Sequence, residues 1–204
     1  MANSFSVKTS VVAGVNNVLS GMVPFSGNIG CLVLSNDVSV TWEIYLDKVI
    51  NDLERVVLSL SSASTGGTLV GSTFYYFRIT TVDVNGIEGP PCDLISKKTG
   101  SSNTSKITAT WLAIAGAASY NIYCSSIGGQ ETFQINTTSL SFVLTIPPQN
   151  QSLQIPTVAD INMIMAANDA KSIPMSGVFF AGNIRVFAKA GAGGNVAFSC
   201  VIAN

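Results

Sequence analysis

From Thr104 to Ser126 the sequence runs TSKITATWLAIAGAASYNIYCSS, and its apolar residues recur at every second position. Ile107, Ala109 and Trp111 alternate with Thr108, Thr110 and Leu112. After Gly116-Ala117-Ala118 the same period returns in Tyr120, Ile122 and Cys124. A repeat of two puts alternate side chains on opposite faces of a pleated strand, whereas a helix needs 3.6 to keep one face buried. The stretch therefore predicts two strands flanking a small-residue turn, as in the core of a β-sandwich.

The period extends along the chain. Val38, Val40, Trp42, Ile44 and Leu46 alternate with polar neighbours and follow an apolar Ile29–Leu34 run and a Ser35-Asn36-Asp37 turn cluster, which predicts a hairpin with one buried face. Phe74–Asp83 reads as a long aromatic strand closed by Asp83-Val84-Asn85-Gly86, whose residues tolerate positive φ. Thr132–Asn136, Leu140–Ile146, Ile161–Met165, Val178–Lys189 and Asn195–Ala203 read as further strands, and Ser4 to Val23 as one or two more. Lys171-Ser172-Ile173-Pro174 and Gly191-Ala192-Gly193-Gly194 read as turns. Leu46, Val49, Ile50, Leu53 and Val57 also fall at helical spacing, leaving a short helix and a strand both open there before Val56, Leu58 and Leu60 alternate. Ser61–Gly67 and Pro147–Ser152 read as linkers.

Composition narrows the function. Charged residues are 10% of the 204, the net charge is −1, and there is no histidine. No basic run offers an electrostatic footprint for nucleic acid, and no apolar stretch reaches the roughly 18 residues that span a bilayer. With a single Lys and no clean apolar core, the N-terminal segment is not expected to be a secretory signal. Mean hydropathy is positive, so long apolar runs such as Gly177–Ala181 are expected to be covered by other subunits.

Lack of histidine removes the usual general base and the commonest triads and metal sets. Asp37, Asp83, Glu88 and Asp169 sit beside turns, where Asp favours backbone hydrogen bonding. The Asp83 loop shares its opening with a calcium loop, but Leu94 stands at the twelfth position, where such a loop needs glutamate. Gly191–Gly194 opens no helix and so lacks the dipole of a phosphate cradle. Cys31, Cys92, Cys124 and Cys200 are widely spaced in apolar runs and read as buried free thiols. Phe74 and Tyr76 share one strand face and Tyr75 and Phe77 the other, so one pair is core and the other a surface that sugars stack on only in the less favoured reading. No catalytic, cofactor-binding or metal-binding residue is assigned, and the chain is not expected to be an enzyme.

The order of these strands resembles fibronectin type III-like (Ig-like) modules of the variety common in bacteriophage virion proteins. Tyr76, Ile79, Val82, Asp83, Gly86 and Pro90 match the pattern in the first part. Trp111, Gly116, Ala117, Tyr120, Ile122 and Tyr123 match it in the second. Cys124 departs from it, since an arginine often follows the tyrosine in that family. The resemblance covers Thr68 to Pro156 and implies a β-sandwich of that kind in a virion.

The flanking segments are each near the size at which a core becomes marginal. The expectation is therefore an all-β chain: residues 1–62 plus 156–204 form a discontinuous antiparallel β-sandwich or jelly-roll-like domain, and 63–155 form the fibronectin type III-like domain inserted into it. The resemblance implies a virion structural protein made in the host cytoplasm, a capsid decoration or head-fibre protein stabilising the shell. The alternatives are a neck or tail component and a carbohydrate- or receptor-binding adhesin module. Expected partners are the chain itself, as a homotrimer or other symmetric oligomer, and virion proteins such as the major capsid protein, with a cell-surface glycan only under the adhesin reading; nucleic acid, membrane, metal and cofactor are not expected.

Overall fold

A computed structural model describes residues 4–11, 16–18, 23–46, 50–51, 53–149 and 159–203. The protein is all-β, built of antiparallel sheets. It divides into two compact units, one of residues 1–49 with 159–204 and one of residues 50–158.

The first unit contains β1 (Ser4–Val11), β2 (Asn16–Val18), β3 (Val23–Asn36), β4 (Val40–Leu46), β12 (Ile161–Met165), β13 (Asp169–Ala190) and β14 (Gly194–Ala203) in one seven-stranded sheet. Its order is β1-β14-β3-β13-β4-β12, with β2 also on β13. Register forces this sheet to fold over. β13 pairs β3 from Asp169↔Asn36 to Ile184↔Val23, then β4 from Ile184↔Leu46 to Ala190↔Val40. A straight strand from 169 to 190 would be about 70 Å long, yet Asn36 and Val40 are at most about 14 Å apart along the chain. β13 therefore doubles back, and its register is broken between Pro174 and Val178. Leu32 and Leu34 of β3 and Phe198 of β14 thereby meet Trp42 and Ile44 of β4 and Val186 and Ala188 of β13 in one buried core. Lys171-Ser172-Ile173-Pro174, expected as a turn, lies inside β13 and is paired to β3 from Lys171↔Leu34 to Pro174↔Cys31, so β3 fixes it as strand.

The second unit is a two-sheet sandwich. β10 (Thr132–Thr137), β9 (Ala117–Ser125), β6 (Phe74–Asp83) and β7 (Ile95–Lys98) form one sheet in that order; β11 (Ser141–Leu144), β8 (Lys106–Thr110) and β5 (Ser59–Ala63) form the other. Between the sheets lie Tyr75, Phe77, Ile79, Ile107, Ile122 and Leu144, with Trp111 meeting Tyr120 edge-on at 5.5 Å between centroids. Tyr75, near the start of β6, accepts a hydrogen bond on its hydroxyl from the Val70 N–H at 3.1 Å.

One expectation fails at the start of this unit. Residues 61–63, expected to begin a linker, belong to β5, which pairs β8 from Ser59↔Thr110 to Ala63↔Lys106, and Val56 and Leu58, expected in the outer domain, are buried in the sandwich core. A Ser-rich run offers little side-chain anchorage, but backbone pairing does not need it. No helix forms among the described residues between Leu46 and Val57; Asn51 instead donates from Nδ2 to Thr81 O and Ile87 O, tying the segment to β6. Of the second expected linker, Pro147–Ser152, residues 150–152 lie outside the described residues.

Candidate functional site

The outer face of the four-stranded sheet gathers most of the chemistry. Alternation along β6 turns Tyr75, Phe77 and Ile79 inward and leaves Phe74, Tyr76, Arg78 and Thr80 on the other side. Arg78 Nε stands 3.5 Å from Glu131 Oε2, and the Glu131 side chain has no exposed surface. The Gly129 N–H donates to the other Glu131 oxygen at 2.7 Å, so this carboxylate holds the β9–β10 loop onto the sheet. Arg78 Nη1 reaches Cys92 O at 3.4 Å.

A second carboxylate works alongside it. Glu88 Oε1 accepts from the Tyr123 hydroxyl at 2.7 Å and from the Thr80 hydroxyl. Burial first, and then the bond to Glu88, push the Tyr123 phenol well above its ordinary value, so it stays protonated and donating. Burial lowers the Arg55 guanidinium to about 10, while Asp93 favours its charge. Chemically this arrangement is a clamp: ionised groups taken partly out of water are spent on the chain's own donors, fixing loops 84–94 and 126–131.

The aromatic pair is largely committed too. Phe74 is 47% exposed and its ring lies 6.5 Å from that of Tyr76. Lys98 Nζ sits 5.7 Å over the Phe74 ring. Gly128 packs against Tyr76 so closely that a Cβ there would lie 3.0 Å from Cε1. Each ring thus has one face already covered, which leaves little platform for a stacked sugar.

The turn acids hold backbone. Asp83 Oδ1 accepts from the N–H groups of Asn85 at 2.8 Å and Ile87 at 2.9 Å, with Gly86 at φ +75°. Asp37 accepts from Asn195 N at 2.6 Å and Nδ2 at 2.9 Å, joining the β3–β4 turn to β14. Asp169 Oδ1 accepts from Ala170 N at 2.9 Å. Asp37, Asp169, Asn36, Asn168 and Asn195 line an open depression of about 450 Å³. Gly191–Gly193 joins β13 to β14. Cys92, Cys124 and Cys200 are buried free thiols and Cys31 is a half-buried one. Among the described residues no group of three or more Cys, Asp or Glu is placed to hold a metal ion, and no helix is long and apolar enough to cross a membrane.

Sequence reasoning singled out Glu88 only as a turn residue and Tyr123 only as part of the module's pattern, and passed over Arg78, Glu131 and Arg55. The available signal was Arg78 at an outward strand position between buried Phe77 and Ile79, which asks for an acid nearby. Comparison with protein-family models, with curated proteins and with solved structures returned no match.

Proposed function

We propose that this chain is a structural protein of a bacteriophage particle, a capsid decoration or head-fibre protein whose 50–158 unit is a fibronectin type III-like module. The observation that carries the reading is the sandwich of that unit. Its seven strands divide four and three; Tyr75, near the start of a long strand, is hydrogen-bonded back to backbone five positions upstream; and Trp111 is buried against Tyr120. A tyrosine of this kind and a core tryptophan both belong to the Ig-like sandwich. The residues that resemble phage modules lie on β6 and β9 and in the loops that follow β6 and precede β9.

The mechanism is mechanical. The other unit presents a surface with little charge, in a chain of net charge −1, and apolar burial against the shell or against further copies holds it there. A standard interface of about 1,600 Å² is enough for specific association. The clamped loops of the module keep its outer sheet face rigid while it projects.

The test is co-assembly. The full chain, mixed with shells made of the major capsid protein alone, is expected to pellet with them at a fixed ratio per capsid subunit and to raise the temperature at which they break. A chain that stays in the supernatant with neck- and tail-bearing particles as well as with shells overturns the reading. Retention only by the necks or tails moves the protein to those layers.

A further inference from the structure

We propose that β12 is a docking edge for a second copy of this chain, the two β12 strands pairing antiparallel about a two-fold axis at Met163. This rests on the reading of the protein as an assembly component and names the partner strand. On one side β12 is hydrogen-bonded to β4, from Ile161↔Ile44 to Met165↔Val40; no strand among the described residues pairs its other side. A free edge presents a row of N–H and C=O groups unpaired by protein, a ready template for another extended strand.

Three of the other edges are guarded. β1 carries Lys8, β7 carries Lys97 and Lys98, and β10 is bulged between Phe133 and Ile135. Charge, proline and bulges all obstruct edge-to-edge pairing. β12, with the sequence INMIM, has none of them, and its outward Ile164 is 77% exposed. β11 and β5 are uncharged edges too, but β11 is one residue shorter with its outward Val143 44% exposed, and β5, with the sequence SLSSA, brings mostly small polar residues.

The occupant follows from complementarity. Ile161, Met163 and Met165 lie on the core side; Met165 is buried, while Ile161 and Met163 pack on the core only partly. The core is thus left open at this edge, and the strand that completes it has to be apolar at alternate positions. β12 itself has that pattern. Turned about Met163, it sets Ile161 opposite Met165 of the second copy and Asn162 opposite Ile164, extending the inner stripe without a break. The strand brings no ionisable group, so two copies approach without charge repulsion, and Asp160 falls outside the five-residue ladder. A two-fold contact of this kind closes on itself, which limits it to a pair.

The test uses two double variants at exposed positions. Asn162→Lys with Ile164→Lys places lysine opposite lysine twice across the axis; Asn162→Glu with Ile164→Glu does the same with carboxylates. Light scattering of the full wild-type chain at tens of micromolar is expected to give twice the 21.3 kDa chain mass, or an even multiple of it. Each double variant, its circular dichroism unchanged, is expected to weaken the pairing at least about tenfold, and mixing the two variants restores it. A wild-type mass of one chain, or of three, overturns the proposal. So does pairing that survives both variants, or a mixture that fails to restore it. Shell binding, scored in parallel, separates the two readings: a monomer that still pellets with shells removes only the β12 contact, and a β12 pair that never pellets removes only the virion role.

Discussion

The Glu131 carboxylate lies 3.5 Å from the Arg78 guanidinium with none of its side chain exposed, while Arg78 is 23% exposed. Breaking a buried pair from one side strands the other charge, at about 3–5 kcal/mol when both are fully out of water. Arg78 keeps some solvent, so Glu131→Ala is expected to cost about 2–3 kcal/mol. Replacing both residues by apolar ones of similar volume costs less than the single change. Urea unfolding of the full chain measures it; equal losses for single and double variants would mean that the pair contributes nothing beyond loop packing.

Gly116 sits at φ +85°, and a Cβ there would stand 2.8 Å from Leu53 Cδ2. Both terms act against alanine: the left-handed backbone disfavours it, and Leu53 must move. Gly116→Ala is expected to destabilise the sandwich by at least about 1 kcal/mol. Adding Leu53→Ala should recover the steric part and leave the backbone part. An alanine variant as stable as the wild type would show that this turn adopts another conformation in solution.

Tyr75 offers a cleaner measure of one hydrogen bond. Its hydroxyl accepts from Val70 N–H, and the residue is buried. Tyr75→Phe removes the oxygen, keeps the ring and leaves a backbone donor without that partner, a loss of about 1–2 kcal/mol. Trp111 gives the contrast. It is 6% exposed and its Nε1 has no hydrogen-bond partner, so Trp111→Phe loses packing alone, whereas Trp111→Ala costs about 3–5 kcal/mol. A Trp111→Phe loss as large as that of the alanine variant would point to a bond made by the indole nitrogen in solution.

The strands were legible because burial on one face writes itself into every second residue: Trp42, Ile44, Ile107, Ala109, Tyr120 and Ile122 are buried where the alternation put them. Period alone does not say which strand is the neighbour. It therefore missed that β13 serves β3 over residues 169–184 and β4 over residues 184–190, and it read Lys171-Ser172-Ile173-Pro174 as a turn when those residues are paired to β3. Alternation of Val56, Leu58 and Leu60 marked the approach to β5, but residues 61–63 read as linker because they are small and polar, and their strand character comes from β8. The Arg78–Glu131 and Glu88–Tyr123 contacts were illegible for another reason: they join positions far apart in sequence on a face that alternation labels only as outward.

The thiols give the last prediction. Burial, the largest cause in each case, pushes Cys92 up to about 11 and Cys124 up to about 12, from an ordinary value of 9.0. Below pH 9 each is protonated whether the chain is folded or not, and its contribution to stability is fully present. Between pH 9 and these raised values the unfolded chain releases protons that the folded chain keeps, so ionisation favours unfolding and stability falls as pH rises. At pH 10 the loss is about 1 kcal/mol for each thiol. Lysines and tyrosines also titrate in this window, so the readout is a difference: the Cys92→Ala, Cys124→Ala variant should lose less stability between pH 8 and 10.5 than the wild type. The same burial sets reactivity, because the thiolate is the nucleophile. At pH 8 a maleimide should label half-buried Cys31 first and reach Cys92, Cys124 and Cys200 only at the rate of unfolding. Prompt labelling of all four thiols in the folded chain would mean that both units open far more readily than their strand pairing implies.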